Sequence, residues 1–328
     1  MEGNTGVATA DGAGGSTNQV RVKEFLLKYS FAIVFVLLVV YLSFATSKFL
    51  TVSNIVNVFR QVSNQGIIAV GMTMILIMGQ IDLSVGALVA FAAVLNAIFL
   101  KWGLSIPLSI LATLGVTCLW GVLNGYVTAR FRLHAFLVTM ATMTLIRGVT
   151  YTLTGGYPVG GLPQDFFIYG SGQLGFIPYP VLYMIAIFLI GAFVMSSTTF
   201  GRSIYALGGN EDAARLSGIN VERVKIGVFV VSAAVSGISG LVLSSRLMAG
   251  SPEIGIGWEL DIVAAVIIGG TNIVGGEGKL SGTLLGVLFI GVLSNGMILL
   301  DITPYMQQVV RGLVILGAVI LNSLQEKR

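Results

Sequence analysis

TFGRSIYALGGNEDAARLSGINVERVK, residues 199–225, carries Arg202, Glu211, Asp212, Arg215, Glu222, Arg223 and Lys225 in a chain that is otherwise apolar almost throughout. Its neighbours decide the fold. Residues 178–196 before it and 224–248 after it are each an apolar run of about 20 residues, the length a helix needs to cross the hydrocarbon core. A charged stretch between two such runs faces water at a membrane surface, and faces whatever binds there.

Working outward, similar apolar runs fall at 29–47, 55–78, 83–101, 104–129, 135–153, 259–274, 281–300 and 304–324. The chain has 328 residues, 55% hydrophobic and 10% charged, against about 25% charged in soluble domains. Lipid requires each spanning backbone to satisfy its own polar groups, and these runs lack the alternation of barrel strands, so the expected fold is all-α, polytopic, with about ten transmembrane helices. The 43 glycines suit closely packed membrane helices. Gly121-x-x-x-Gly125 and Gly282-x-x-x-Gly286 are two small-residue faces of that kind. Residues 1–25 read as a disordered cytoplasmic tail and 26–328 as one transmembrane domain.

Positive charge orients the spans. With the N-terminus inside, Arg21, Lys23, Lys28, Arg130, Arg132, Arg202, Arg215, Arg223, Lys225, Lys279, Lys327 and Arg328 lie on the cytoplasmic side. Only Lys48, Lys101 and Arg246 lie outside, and segment 154–177 has no Lys or Arg at all. Both termini are therefore expected in the cytoplasm, with 199–225 a cytoplasmic loop and 154–177 an external one. A weak internal match, GQIDLS at 79–84 against GEGKLS at 276–281, reads as coincidence between glycine-rich helix entries.

Several chemistries are excluded. Gly278-Lys279 is followed by Leu280 where a phosphate-binding loop requires Ser or Thr, so the chain should not hydrolyse ATP. One histidine, His134, and one cysteine, Cys118, provide no metal cluster and no catalytic triad. No cofactor is expected.

Within 199–225, Gly208-Gly209-Asn210 is a turn signal. It is followed by Glu211, Asp212, Ala213, Ala214, Arg215, Leu216 and Ser217, a short helix with Asn210 as N-cap, acids in its first turn and Gly218 at its end. Ala213, Ala214 and Leu216 are read as small contacts that enter a groove in a partner. Residues 212–218, DAARLSG, are similar to the Glu-Ala-Ala-x-x-x-Gly core of the cytoplasmic loop of permeases in ABC importers, with Asp for Glu.

QGIIAVGMT at 65–73, GQIDLSVG at 79–86, ALGGNE at 206–211 with RLSGIN at 215–220, ELDIVAA at 259–265 and SNGM at 294–297 resemble the permeases of ribose-type monosaccharide importers. The resemblance runs from about residue 54 to the C-terminus, and Gln80, where many relatives carry Gly, departs from it. It implies an inner-membrane subunit that works with a second permease, an identical copy or a related chain, a cytoplasmic ABC ATPase and a periplasmic sugar-binding protein. It also implies that residues 208–218 couple to the ATPase.

For a neutral sugar the pathway needs hydrogen-bonding groups without fixed charge. The candidates are Gln61, Asn64, Gln65, Asp82, Asn96, Asn124 and Asn295, with Ser63 and Thr73. Asp82 has two readings: a functional intramembrane carboxylate, or the N-cap of the helix that begins with Leu83-Ser-Val. Arg60, Arg147 and Arg311 lie inside spans and need a carboxylate, a carbonyl or a wet cavity. The alternative function is an ion-gradient carrier with Asp82 and the arginines as its coupling site; such a carrier would not need the 199–225 loop.

Overall fold

The computed structural model describes residues 31–326; the expected tail at 1–25 lies outside them. Among the described residues a helix stands at each of the ten apolar runs. These helices are α1 (Phe31–Ala45), α2 (Val52–Ile77), α3 (Val85–Lys101), α4 (Ile106–Arg130), α5 (Ala135–Thr154), α7 (Tyr179–Ser197), α10 (Val221–Leu247), α11 (Trp258–Ile268), α12 (Leu280–Leu299) and α13 (Pro304–Glu326). Between them lie the short helices α6 (Phe167–Ser171), α8 (Thr199–Gly209) and α9 (Glu211–Leu216). Helix starts follow local capping: the side chains of Thr51, Thr198, Asn210 and Asn220 each accept from a backbone N–H in the first turn.

Among the described residues five helices, α4, α5, α7, α10 and α12, are long and apolar enough to cross a membrane. The tenfold count is not reached on those grounds. α11 is the clearest departure: the apolar run at 259–274 yields only 11 helical residues, about 16 Å at 1.5 Å per residue, against a core of about 30 Å. Gly269-Gly270 ends it, with Gly270 in the left-handed region at φ +87°.

Segment 199–225 is not an open loop. Gly201, Ile204 and Leu207 give α8 one buried face, and the helix runs through Gly208 and Gly209 where their sequence suggests a turn. Segment 154–177 contains α6 and two short antiparallel pairings. In one, Val159–Gly160 pairs with Ala249–Gly250, tying this segment to the end of α10; in the other, Gln173–Leu174 pairs with Ile177–Pro178.

α10 is the centre of the bundle, packed on α2, α3 and α4 and buried along most of its length. The small-residue faces explain the close fits. A Cβ on Gly121 would stand 2.8 Å from the Val230 Cα of α10, and one on Gly125 2.5 Å from the Ile226 Cα. Gly282 and Gly286 of α12 approach the backbone of α11 at Gly269 and Ala265 in the same way.

The packing repeats itself. α3 packs on α4 and α5 as α11 packs on α12 and α13, and α10 packs on α3 and α4 as α2 packs on α11 and α12. Gly86, in the first turn of α3, and Gly255, just before α11, lie against each other: a Cβ on Gly255 would be 2.6 Å from the Gly86 carbonyl oxygen, and one on Gly86 would meet the Gly255 carbonyl oxygen. The internal relation therefore pairs α2–α5 with α10–α13. Segments 79–84 and 276–281 are not equivalent positions in it, although they touch, with Gly276 N–H donating to the Ile77 carbonyl at 2.8 Å.

Candidate functional site

Two regions carry polar chemistry. The first is the surface segment from α8 to the base of α10. Three attachments hold it to the bundle. Gly208 sits so close to the end of α2 that an added Cβ would lie 2.5 Å from Gly276 N and inside the Ile77 carbonyl. The Tyr205 hydroxyl donates to the Gly278 carbonyl at 2.9 Å, beside an open cavity of about 810 Å³ that Tyr205, Glu277, Lys279, Gly282 and Leu285 help to line. Third, Glu211 accepts from Lys225 Nζ at 2.7 Å and from Arg215 at 3.0 Å. Burial pushes the Glu211 carboxyl up, but hydrogen bonds and charge from Lys225 and Arg215 outweigh it and hold the group below its ordinary value.

α9 is a single turn and a half capped by Asn210, whose side chain accepts from Ala213 N–H at 2.8 Å. Asp212, Ala213, Leu216, Ser217 and Gly218 face outward, and Leu216 is 89% exposed. Ala214 does not join them. It is buried in the core cluster, because α9 packs on α8 and α10 and one side of the turn must face them. Lys225, which the sequence reading did not single out, is 7% exposed at its side chain and is the partner that fixes α9 to α10.

The second region is the polar interior. The structure does not gather the seven pathway candidates into one chamber. Asn64 is buried between α2 and α10, where the Ser239 hydroxyl donates to its backbone carbonyl at 3.1 Å. Asn96 accepts from the Ser109 hydroxyl at 2.7 Å, joining α3 to α4. Asn295 and Asn54 exchange two amide hydrogen bonds, at 3.0 and 2.9 Å, joining α12 to α2. Gln61 is exposed, Gln65 is half-buried, and Ser63 bonds its own helix. Thr73 meets Thr283 at 2.8 Å.

Asp82 is not a helix N-cap: α3 starts at Val85, and the carboxylate serves the break before it. One oxygen accepts from Ser84 N–H at 2.9 Å and the Ser84 hydroxyl at 2.6 Å; the other accepts from the Ser232 hydroxyl of α10 at 2.9 Å. The Asn124 amide of α4 then donates to Ser84 Oγ at 3.1 Å. Asp82, Ser84, Asn124 and Ser232 thus form one buried cluster joining α3, α4 and α10. Gln80 has a local reason: its side-chain carbonyl accepts from Ala135 N–H, the first residue of α5, at 3.1 Å.

Buried hydrogen-bonding capacity is left over. Asn64 Oδ1, Asn96 Nδ2, Asn124 Oδ1 and the Thr113 and Thr128 hydroxyls have no partner among the described residues. Arg147 donates to the carbonyls of Pro252, Ile254 and Gly86 at 2.6, 2.9 and 3.2 Å, pinning the segment before α11 against α3. Arg311 pairs with Asp261 at 3.1 Å. Among the described residues no group of His, Cys, Asp or Glu could hold a metal ion.

Residues 54–319 match the family described as branched-chain amino acid transport system / permease component. The chain is 40% identical over 311 residues to the ribose import permease protein RbsC of Haemophilus influenzae, covering 94% of this chain and 96% of that one. It is 41% identical over 288 residues to the RbsC of Bacillus subtilis, covering 87% and 89%. It is 36% identical over 300 residues to the L-arabinose transport system permease protein AraH of Escherichia coli, covering 92% of each. No solved structure matches.

Proposed function

Because the chain belongs to the family of branched-chain amino acid transport system permease components, we propose that it is the transmembrane subunit of an ABC importer, and that its cargo is a neutral pentose or hexose. The observation that carries the cargo is the 36–41% identity, over most of both chains, to permeases named for ribose and L-arabinose. The family description names amino acids, but near-full-length relatives at this identity say more about this chain than a description spanning the whole family. The function needs no chemistry in the chain itself. ATP is hydrolysed by a separate cytoplasmic subunit, and a periplasmic binding protein delivers the sugar.

The finer reading is as follows. Ten helices cross or enter the inner membrane with both termini cytoplasmic, two permease copies line the pore, and residues 208–218 meet the ATPase. Support comes from the outward Leu216 on a capped helix anchored to α2, α10 and the segment before α12. Anchoring at several points is what lets displacement of a short helix move rigid ones. The pathway candidates divide. Gln61, exposed on α2, and Gln65, half-buried on it, are the better sugar contacts. Asn96, Asn124 and Asn295 join helices, a role worth about 0.6 kcal/mol per bond in membranes.

The test is reconstitution in proteoliposomes with a partner ABC ATPase and a periplasmic sugar-binding protein. ATP-dependent uptake of ribose or arabinose, but not of leucine, is expected. Leucine uptake would overturn the cargo, and sugar uptake by the purified chain alone on an ion gradient would overturn the importer reading.

A further inference from the structure

The Glu211–Lys225 pair is placed where the surface segment meets the central helix, and α10 is bonded to other elements at three further depths. Ser232 donates to Asp82 in the break before α3, and Ser239 donates to the Asn64 carbonyl of α2. Ser245 donates to the Phe166 carbonyl and accepts from Gly170 N–H of α6, in the external segment. With 27 residues, α10 spans about 40 Å at 1.5 Å per residue. One element therefore runs from the α9 attachment to the external segment.

Lys225 is the first charged contact on that path. Its side chain is 7% exposed and Glu211 is its one carboxylate partner among the described residues. A buried cation held by a single carboxylate is a stiff link, since separating the two leaves a charge in a poor environment. Arg215 holds the second Glu211 oxygen, fixing the carboxylate from within α9. The remaining contacts of α9 with its neighbours are apolar or backbone.

We propose that Lys225 is a positioning residue for transport: through its bond to Glu211 it carries displacement of α9 into α10, so that ATP hydrolysis by the partner subunit moves the helix that joins the break before α3 to the external segment. This rests on the importer reading above and adds the residue through which coupling enters the bundle.

The experiment measures sugar transported per ATP hydrolysed, for the full complex in proteoliposomes, with wild type, Lys225→Met, Lys225→Arg and Glu211→Gln. The ratio is the readout, because a general loss of folded complex lowers uptake and hydrolysis together and leaves it unchanged. Lys225→Met is expected to keep hydrolysis within about twofold while the ratio falls about tenfold or more. Lys225→Arg, which keeps the cation, should restore most of the ratio, and Glu211→Gln should fall between. A wild-type ratio in Lys225→Met overturns the proposal, as does a parallel loss of uptake and hydrolysis in both Lys225→Met and Glu211→Gln, which makes the pair a brace only. If the wild-type chain itself fails to couple sugar uptake to ATP, the importer reading fails first, and the variants are not the cause.

Discussion

Replacing Gly208 with alanine puts a methyl carbon where two backbones already meet. The added carbon would lie 2.5 Å from Gly276 N, 2.9 Å from the Ile77 carbonyl carbon and closer still to its oxygen. None of these atoms belongs to a side chain that could rotate away. The helix must shift, and the Gly276 N–H to Ile77 carbonyl hydrogen bond of 2.8 Å goes with it. Overpacking of this kind costs about 1–3 kcal/mol and the hydrogen bond about 0.5–1.5 kcal/mol, so the loss should be about 1.5–4.5 kcal/mol. Gly209 is the internal control. A Cβ there meets nothing within 4 Å, and both substitutions restrict the unfolded chain alike, so Gly209→Ala should be neutral or slightly stabilising through helix propensity. The assay is the unfolding midpoint of both variants in one detergent, with ATP-coupled uptake in parallel. Gly208→Ala should unfold at clearly lower temperature and Gly209→Ala should not. Equal midpoints for the two, or a greater loss at Gly209, would refute the close backbone approach on which the account of α8 rests.

Three further outcomes are expected. Asp82→Asn keeps an acceptor for Ser84 and lets the Ser232 hydroxyl turn to accept, so uptake should persist at a cost of about 1 kcal/mol; abolished uptake in a folded, inserted variant would show that the charge itself is required. Arg147→Met removes three donors to carbonyls of residues 86, 252 and 254, and amide exchange in 251–257 should quicken while that in α4 stays as it was; unchanged exchange in 251–257 would disprove the pinning role. Glu211 has its carboxyl below the ordinary value in the folded chain, so its stabilising effect is present above the unfolded carboxylate range and is lost as pH falls through the folded value. The difference in unfolding midpoint between wild type and Glu211→Gln should therefore be full near neutral pH and close on acidification, and a gap constant with pH would contradict the ion-pair account.

Helix positions were legible because apolar runs of spanning length have one stable solution in lipid. Their ends were less so. The run at 259–274 concealed a break at Gly269-Gly270, since an apolar count weighs glycine little and backbone reversal heavily depends on it. Gly208-Gly209 misled in part: Gly208 serves close packing inside α8, Gly209 is the last residue of that helix, and the chain changes direction only at Asn210. Within α9 the cap at Asn210 could be read locally, but the inward placement of Ala214 depends on how the helix lies against the bundle, which no local pattern states. The polar interior was legible as a set of residue types and not as a geometry. Asn96 and Ser109 are 13 positions apart on consecutive helices, whereas the partners of Asp82 and Glu211, at Ser232 and Lys225, are fixed only when α10 takes its place.

The amide pair of Asn54 and Asn295 has a consequence for how the protein is made. Its two residues are 241 positions apart, and α2 also packs on α7, α10, α11 and α12, all of which leave the ribosome later. At about 5–20 residues per second, α2 is made roughly 12–50 s before its clasp on α12 exists. The other partner of the Asn54 amide, the Phe49 carbonyl at 2.9 Å, is only five positions away and is made with it. The early half of the chain is thus complete well before it has the neighbours it packs on in the finished fold.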